Sequence, residues 1–418
     1  MRDIQLKQNL NLACAPWASP MLRSARSQLV LLSTVVFMAM FNLTLVSPGL
    51  PNYLEVKFGE DSPIYIGIFT SAEIIAYILF APIWGVLSDR RERRVPFVIM
   101  GLGMSAIFFV IMPFIDSYWP LIVIRFIQGT FTVAAWSLAM TMALDWAGVE
   151  NRGRTMGILG TGMMMGMAIG AALGGVVADD WTPEGPFIIA HAVFVISFCL
   201  AILLLREPEH RRKKVKVQVP LKEEKDLWIP SSYGFVERFT AGFFITLFPK
   251  FIQDVLGLSI SLSGMYLGIF FLPFGLFQYS FGRKTDKWGP LPFILGGSIV
   301  YGAIMMVVSY LQPAPLAIAM IGLGTMAAGM LPASLVLVGS FSRPETYGRA
   351  MGLFNALGSV GFAAGLLLSA VFADWWGFST SFIIGGVSVI IIVVMTAGPL
   401  IKRFGKTAEK VESINQDV

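Results

Sequence analysis

In a chain built mostly of long apolar stretches, the ionisable side chains inside those stretches are the ones that could do chemistry: Glu73, Arg125, His191, Glu237 and Arg238. A carboxyl shielded from water either takes up a proton or is held ionised by a nearby cation, and an imidazole exchanges a proton near neutral pH. An arginine inside such a stretch costs about 2.5–3.5 kcal/mol on insertion scales and persists where it finds a partner or a polar cavity. The chemistry on offer is proton binding and release. Glu73, free to bind a proton if unpaired or held ionised by Arg125 if their two helices face one another, is the first candidate carrier. Glu237 and Arg238, adjacent on one helix and so about 100° apart, need different partners. No phosphate-binding loop, no Ser-His-Asp set and no metal-ligand spacing stands out, so neither an enzyme nor a cofactor is expected. Cys14 and Cys199, far apart, support neither a disulfide framework nor a zinc site.

A second set of charges sits between apolar stretches. The segment GVLSDRRERR, Gly85 to Arg94, crowds arginines and two carboxylates into one short loop. Its opening returns later as Gly282-x-x-x-Asp286-Lys287. Any membrane protein needs positive topology anchors, but recurrence at the equivalent place of a second half points to a gate. Ion pairs there can clamp the halves in one state and release them in another. Gly85, Asp89, Arg90, Arg93, Arg94, Gly282, Asp286 and Lys287 form this candidate set.

The elements that must position these groups follow from composition. Of 418 residues, 56% are hydrophobic and 14% charged, where a soluble enzyme would carry nearer about a quarter charged residues. Twelve windows of about 20 mostly apolar residues can be drawn, the seventh at about 231–255 and the last two at about 348–373 and 379–402. Runs of that length without alternation choose helices, since hydrocarbon leaves no other way to satisfy the backbone. The expected fold is an all-α membrane protein with twelve transmembrane helices in two pseudo-symmetric six-helix bundles.

The expected organisation is a cytoplasmic N-terminal tail at 1–27, a first bundle at 28–205, a basic cytoplasmic linker at 206–230, a second bundle at 231–402 and a cytoplasmic tail at 403–418. Most of the 31 Lys and Arg then fall on one side, with acidic loops such as GEDS and VADDWTPEG on the other. Positive-inside bias places both termini in the cytoplasm, and it accounts for the net charge of +5 without nucleic acid as a partner. The N-terminal stretch lacks a cleavage site and reads as a tail rather than a signal peptide. The halves repeat each other: the stretch from Arg152 aligns without a gap on that from Tyr347, sharing Gly-Arg, Met-Gly and Ala-Asp before Trp. Parallel repeats of this kind build secondary transporters with the substrate site at the interface.

The fifth helix carries Gly157, Gly166, Gly170, Gly174 and Gly175, mostly at spacings of four, which lets another helix approach closely. A Met-rich run beside them suits ordinary lipid-facing surface.

Gly85, Leu87, Asp89, Arg90, Arg93 and Arg94 resemble the signature between helices 2 and 3 of the major facilitator superfamily, with Glu92 where the family has glycine. The helix-5 glycines resemble the motif of its twelve-helix drug:proton antiporter branch, with Ala171 where that motif has proline. PGLPNYL, at the outer end of the first helix, is similar to that of the twelve-helix exporters. The resemblance implies a proton-transfer role for Arg125 with Gln128-Gly129, and a cavity lined from Asn42, Gln128, Gln278 and Asn355. It also implies a proton gradient as energy source, export of a hydrophobic or amphipathic small molecule, and residence in the cytoplasmic (cell inner) membrane among its lipids. A monomer is expected. Proton symport or uncoupled diffusion, a lipid or lysolipid flippase, and a non-transporting receptor or scaffold on the same fold stay open.

Overall fold

The computed structural model describes residues 24–147, 152–208, 225–343 and 346–416. Cys14, most of the expected N-terminal tail and the heart of the expected basic linker lie outside them. The described residues form helices joined by short turns, with no strand among them. In chain order these are α1 (Ala25–Leu45), a short helix Leu50–Phe58, α2 (Pro63–Arg90), α3 (Val95–Ile111), α4 (Tyr118–Ala147), α5 (Arg152–Asp180) and α6 (Gly185–Leu204). After them come α7 (Trp228–Asp254), α8 (Ile260–Trp288), α9 (Ser298–Val307, entered through a π-helical turn at Pro292–Gly297) and α10 (Pro313–Phe341). A final run, Tyr347–Gln416, breaks at Gly377, whose φ of 84° only glycine adopts readily, into α11 (347–376) and α12 (378–416). Ser24, Ser62 and Ser259 start α1, α2 and α8 by accepting hydrogen bonds from backbone amides of the first turn.

Ten helical stretches among the described residues are long and apolar enough to cross a membrane, the run broken at Gly377 being one of them. α7 is not in that set. Glu237, Arg238, Lys250 and Asp254 dilute its hydropathy, yet most of the helix is buried against its neighbours, so it spans by packing rather than by greasiness. With α7 and the division at Gly377, the expected twelve helices are present.

The α2–α3 loop and the end of α8 put arginines and lysines at one end of the bundle, and Asp61, Asp116, Asp179, Asp180, Glu184 and Asp374 stand at the other. The bundle thus has a basic end and an acidic end. At the acidic end the two halves, α1–α6 and α7–α12, are sewn together. Lys250 pairs with Asp61, Ser47 donates to the Ile245 carbonyl, and Gln253 donates to the Pro48 carbonyl at 2.9 Å. Ser62 bonds Asp374 at 2.6 Å, the Ser261 amide bonds Asp179 at 3.1 Å, and Thr70 meets Thr246 at 2.9 Å. Toward the basic end the seam gives out. Gly85, Gly157, Gly348 and Gly352 have nothing within 4 Å of where a side chain would stand. Among the described residues the hydrogen bonds and the ion pair that join the halves lie at the acidic end, and none joins them toward the basic one.

Candidate functional site

The site begins with a close approach of backbones. At Gly129 of α4 a side chain would stand 2.8 Å from the Glu73 carbonyl oxygen, so only glycine lets α4 lie against α2 there. That approach brings together two side chains one turn apart on each helix. Arg125 and Glu73 form an ion pair, both about 2% exposed. Gln128 links them, accepting from Arg125 at 2.9 Å and donating to Glu73 at 3.2 Å. Tyr77, one turn after Glu73, donates to the same carboxylate at 2.6 Å. The chain continues from Gln128 to Thr132 at 2.5 Å and from Thr132 to Ser105 of α3 at 2.7 Å. The Arg125 guanidinium lies 4.8 Å from the Phe69 ring centre and 5.5 Å from that of Phe109, within cation–π range.

The second half holds a different arrangement. Ser334 of α10 donates to Glu237 at 2.5 Å. Arg238 turns away, donating to the Asn355 side chain at 2.8 Å and to its carbonyl at 3.1 Å, with its guanidinium 5.4 Å from the Phe354 ring centre. The carboxylate is therefore met by a hydroxyl, and the expectation that the two neighbours need different partners matches the geometry.

In the charged loop, Arg94 is buried, pairs with Asp145 at the end of α4 and lies 3.3 Å from Asp89. Glu207, just beyond α6, accepts from the backbone amides of Arg94 and Val95 at 2.5 and 2.7 Å. These contacts tie α2, α3, α4 and α6 to one another inside the first half, so the clamp between halves expected of Arg94 is not formed in this state. Arg90 and Arg93 are exposed. Asp286 and Lys287 are exposed, and Asp286 makes no ion pair among the described residues. Glu92 has φ 52°, the only non-glycine residue with positive φ among those described, which explains why glycine suits this position.

The other candidate residues fall in varied surroundings. Gln128, expected to line the cavity, belongs to the Glu73–Arg125 network instead, because one helical turn separates it from Arg125. Asn355 is engaged by Arg238. His191 stands apart from both carboxyl sites, bonded to the Ala106 carbonyl of α3 at 2.9 Å. Gly166, Gly170 and Gly174 press on the α1 backbone at Phe37, Phe41 and Leu45, and Gly175 on α8, where a side chain would stand 2.7 Å from the Ile260 carbonyl oxygen, but at Gly157 a side chain would meet nothing within 4 Å, so it drops out of the stripe. Asn42 is 1% exposed, with neither side-chain atom hydrogen-bonded. Gln278 faces Gly160 across the α5–α8 seam, where a side chain on Gly160 would stand 3.3 Å from its amide, and its Oε1 is unpartnered.

Tyr77, Thr132, Ser105, Ser334, Asp145 and Glu207 were missed. The spacings of four from Glu73 to Tyr77 and from Gln128 to Thr132 were a usable signal, since such residues share a helix face. Nothing local marked the others, which meet their partners across helices.

Comparison with known proteins agrees with this architecture. The family model described as Major Facilitator Superfamily matches residues 32–233 and again 231–415. Among curated proteins, "Multidrug resistance protein MdtG" of Proteus mirabilis (strain HI4320) is 29% identical over 366 residues, covering 83% of this chain and 89% of that protein. The protein of the same name from Enterobacter lignolyticus (strain SCF1) is 24% identical over 390 residues, covering 90% and 92%. Among solved structures, a bacterial homologue of the human lysosomal transporter Spinster, inward-facing and occupied, superposes with TM-score 0.77 at 14% identity over 90% of this chain and 96% of that one. The nucleoside transporter NupG gives TM-score 0.70 at 14% identity, over 89% and 98%. With its paired six-helix halves, its charged loop between α2 and α3 and a family match that runs through both halves, the chain belongs to the Major Facilitator Superfamily.

Proposed function

We propose that this multi-pass membrane transporter exports small hydrophobic or amphipathic molecules in exchange for protons. The relatives named multidrug resistance proteins support export of that substrate class. The charge asymmetry supports a basic end in the cytoplasm with both termini there, in the cytoplasmic membrane. The cleft between halves then opens to the cytoplasm, where an exporter loads.

The observation that carries proton coupling is Glu237, a carboxyl in a spanning helix met by the Ser334 hydroxyl while its neighbour Arg238 bonds elsewhere. A carboxylate with no cation bonded to it has a proton as its available charge-balancing partner. Glu73, by contrast, is balanced by its ion pair with Arg125. In this reading the proton binds Glu237, and the Glu73 network keeps α2, α3 and α4 in register. A proton moving down the membrane potential supplies about 2.3 kcal/mol per 100 mV, which drives the substrate the other way.

The test is proton movement in reconstituted vesicles loaded with a pH dye, as lipophilic cations, neutral amphiphiles, sugars and lysolipids are added. Substrate-triggered proton flux opposite to the substrate supports antiport. Parallel flux replaces it with symport, and silence across the panel from folded protein removes proton coupling.

A further inference from the structure

The acidic end holds an ion-pair arrangement whose asymmetry suits a gate. Lys250, near the end of α7, is 4% exposed, which is unusual for a lysine. It bonds two carboxylates: Asp61, from the turn before α2 in the other half, and Asp254, one helical turn further along α7 at 2.9 Å. Asp61 is 69% exposed and Asp254 41%. One partner belongs to the opposite half, and the other travels with the lysine. Pro249, immediately before Lys250, leaves α7 one backbone hydrogen bond short at this point.

We infer that Lys250 is the releasable latch of the acidic-end gate, with Asp61 its strike and Asp254 its keeper. The inference rests on the alternating-access reading above. When the halves part at this end, the Lys250–Asp61 pair must break. A buried cation left without a counter-charge would make that step costly. Asp254 removes the obstacle, since it stays bonded to Lys250 in both states. The two aspartates therefore act on the gate in opposite senses. Asp61 favours closure. Asp254 competes with Asp61 for the same ammonium group and lowers the cost of opening.

The remaining bonds across this seam use hydroxyls, an amide and backbone groups, with Asp179 and Asp374 as acceptors of neutral donors. Among the described residues, Lys250–Asp61 is the ion pair that crosses between the halves. Neutral hydrogen bonds exchange readily with water once the seam wets, so the charged pair sets the selectivity of the step.

The test places a reporter under the latch. Thr246→Cys is introduced with Cys14→Ser and Cys199→Ser, since Thr246 is buried and meets Thr70 across the seam. A membrane-impermeant maleimide is applied from the acidic side of vesicles, with and without an imposed proton gradient. Asp61→Asn is expected to raise the labelling rate several-fold, and Asp254→Asn to lower it several-fold. Asp61→Glu and Asp254→Glu keep the charges, label as the parent does and separate charge from folding. Shifts of the same sign in the two asparagine variants overturn the latch, because a merely structural ion pair loosens from either side. A reporter silent in every variant and gradient, yet labelled after unfolding in detergent, overturns the latch together with alternating access at this end. Opposite shifts from a protein that moves no protons would leave the latch standing and remove only the coupling.

Discussion

Arg125 and Glu73, 52 residues apart in the chain, meet as a buried ion pair whose carboxylate also accepts from Tyr77 and Gln128. Each member depends on the other, because either charge alone would be stranded away from water. Arg125→Leu is expected to destabilise the protein by about 3–5 kcal/mol, the usual consequence of leaving one buried charge unpaired. Adding Glu73→Gln to that variant should recover much of the loss. Thermal unfolding in detergent checks both, and equal stability of the single and double variants would show that the pair is not coupled.

Glu237→Gln mimics the protonated carboxyl in shape and still accepts from Ser334. It is expected to keep substrate binding while substrate-triggered proton flux falls to background. Glu73→Gln should lower stability without selectively removing that flux. Flux measurements on the two variants side by side decide the assignment, and full proton flux in Glu237→Gln would return the carrier role to Glu73.

Arg94 is buried while Asp89 is 33% exposed at 3.3 Å, and Asp145 is the nearer and less exposed partner. Asp145→Asn weakens a charge-assisted hydrogen bond and should cost about 1.5–3 kcal/mol of stability. Asp89→Asn should leave folding intact and slow transport. Unfolding midpoints and initial transport rates for the two variants would show whether they separate in this way.

Glu92 holds a left-handed backbone that costs an ordinary residue on the order of 1 kcal/mol. Glu92→Gly is therefore expected to stabilise the protein by about that amount, and Glu92→Val to destabilise it by more. Its side chain is exposed and makes no ion pair among the described residues, so the substitution removes strain without removing a partner. A lower unfolding temperature for Glu92→Gly would contradict this.

Along α5, Gly174 presses on the Leu45 carbonyl whereas Gly157 faces open space. Gly174→Val should force α1 and α5 apart at about 1–3 kcal/mol. Gly157→Ala should instead gain about 0.5–1 kcal/mol from reduced backbone freedom. Purification yield and thermal unfolding of the pair give the comparison.

Much of this molecule was legible before any coordinate. Long apolar windows, a helix-sized period and the bias of arginine and lysine to one side are local quantities, and they determine spanning helices because hydrocarbon permits almost nothing else. The repeat from Arg152 to the stretch at Tyr347 declared two halves for the same reason: it is written in residue order. Glu73 and Arg125 were recognisable because charge inside an apolar run is anomalous wherever it lies.

Helix rotation and pairing across the bundle were decided only in three dimensions. Gln128 turned toward Glu73 rather than the cleft, Gly157 fell off the packing face, and Arg94 found Asp145 from a helix more than 50 residues away. Lys250 stands near the end of the seventh apolar window, a position that names no partner, yet folding buried it between one aspartate of its own helix and one of the opposite half. A charge's cost can be read from its neighbours in the chain. Its partner depends on which faces of which helices meet, and that is a property of the packed bundle alone.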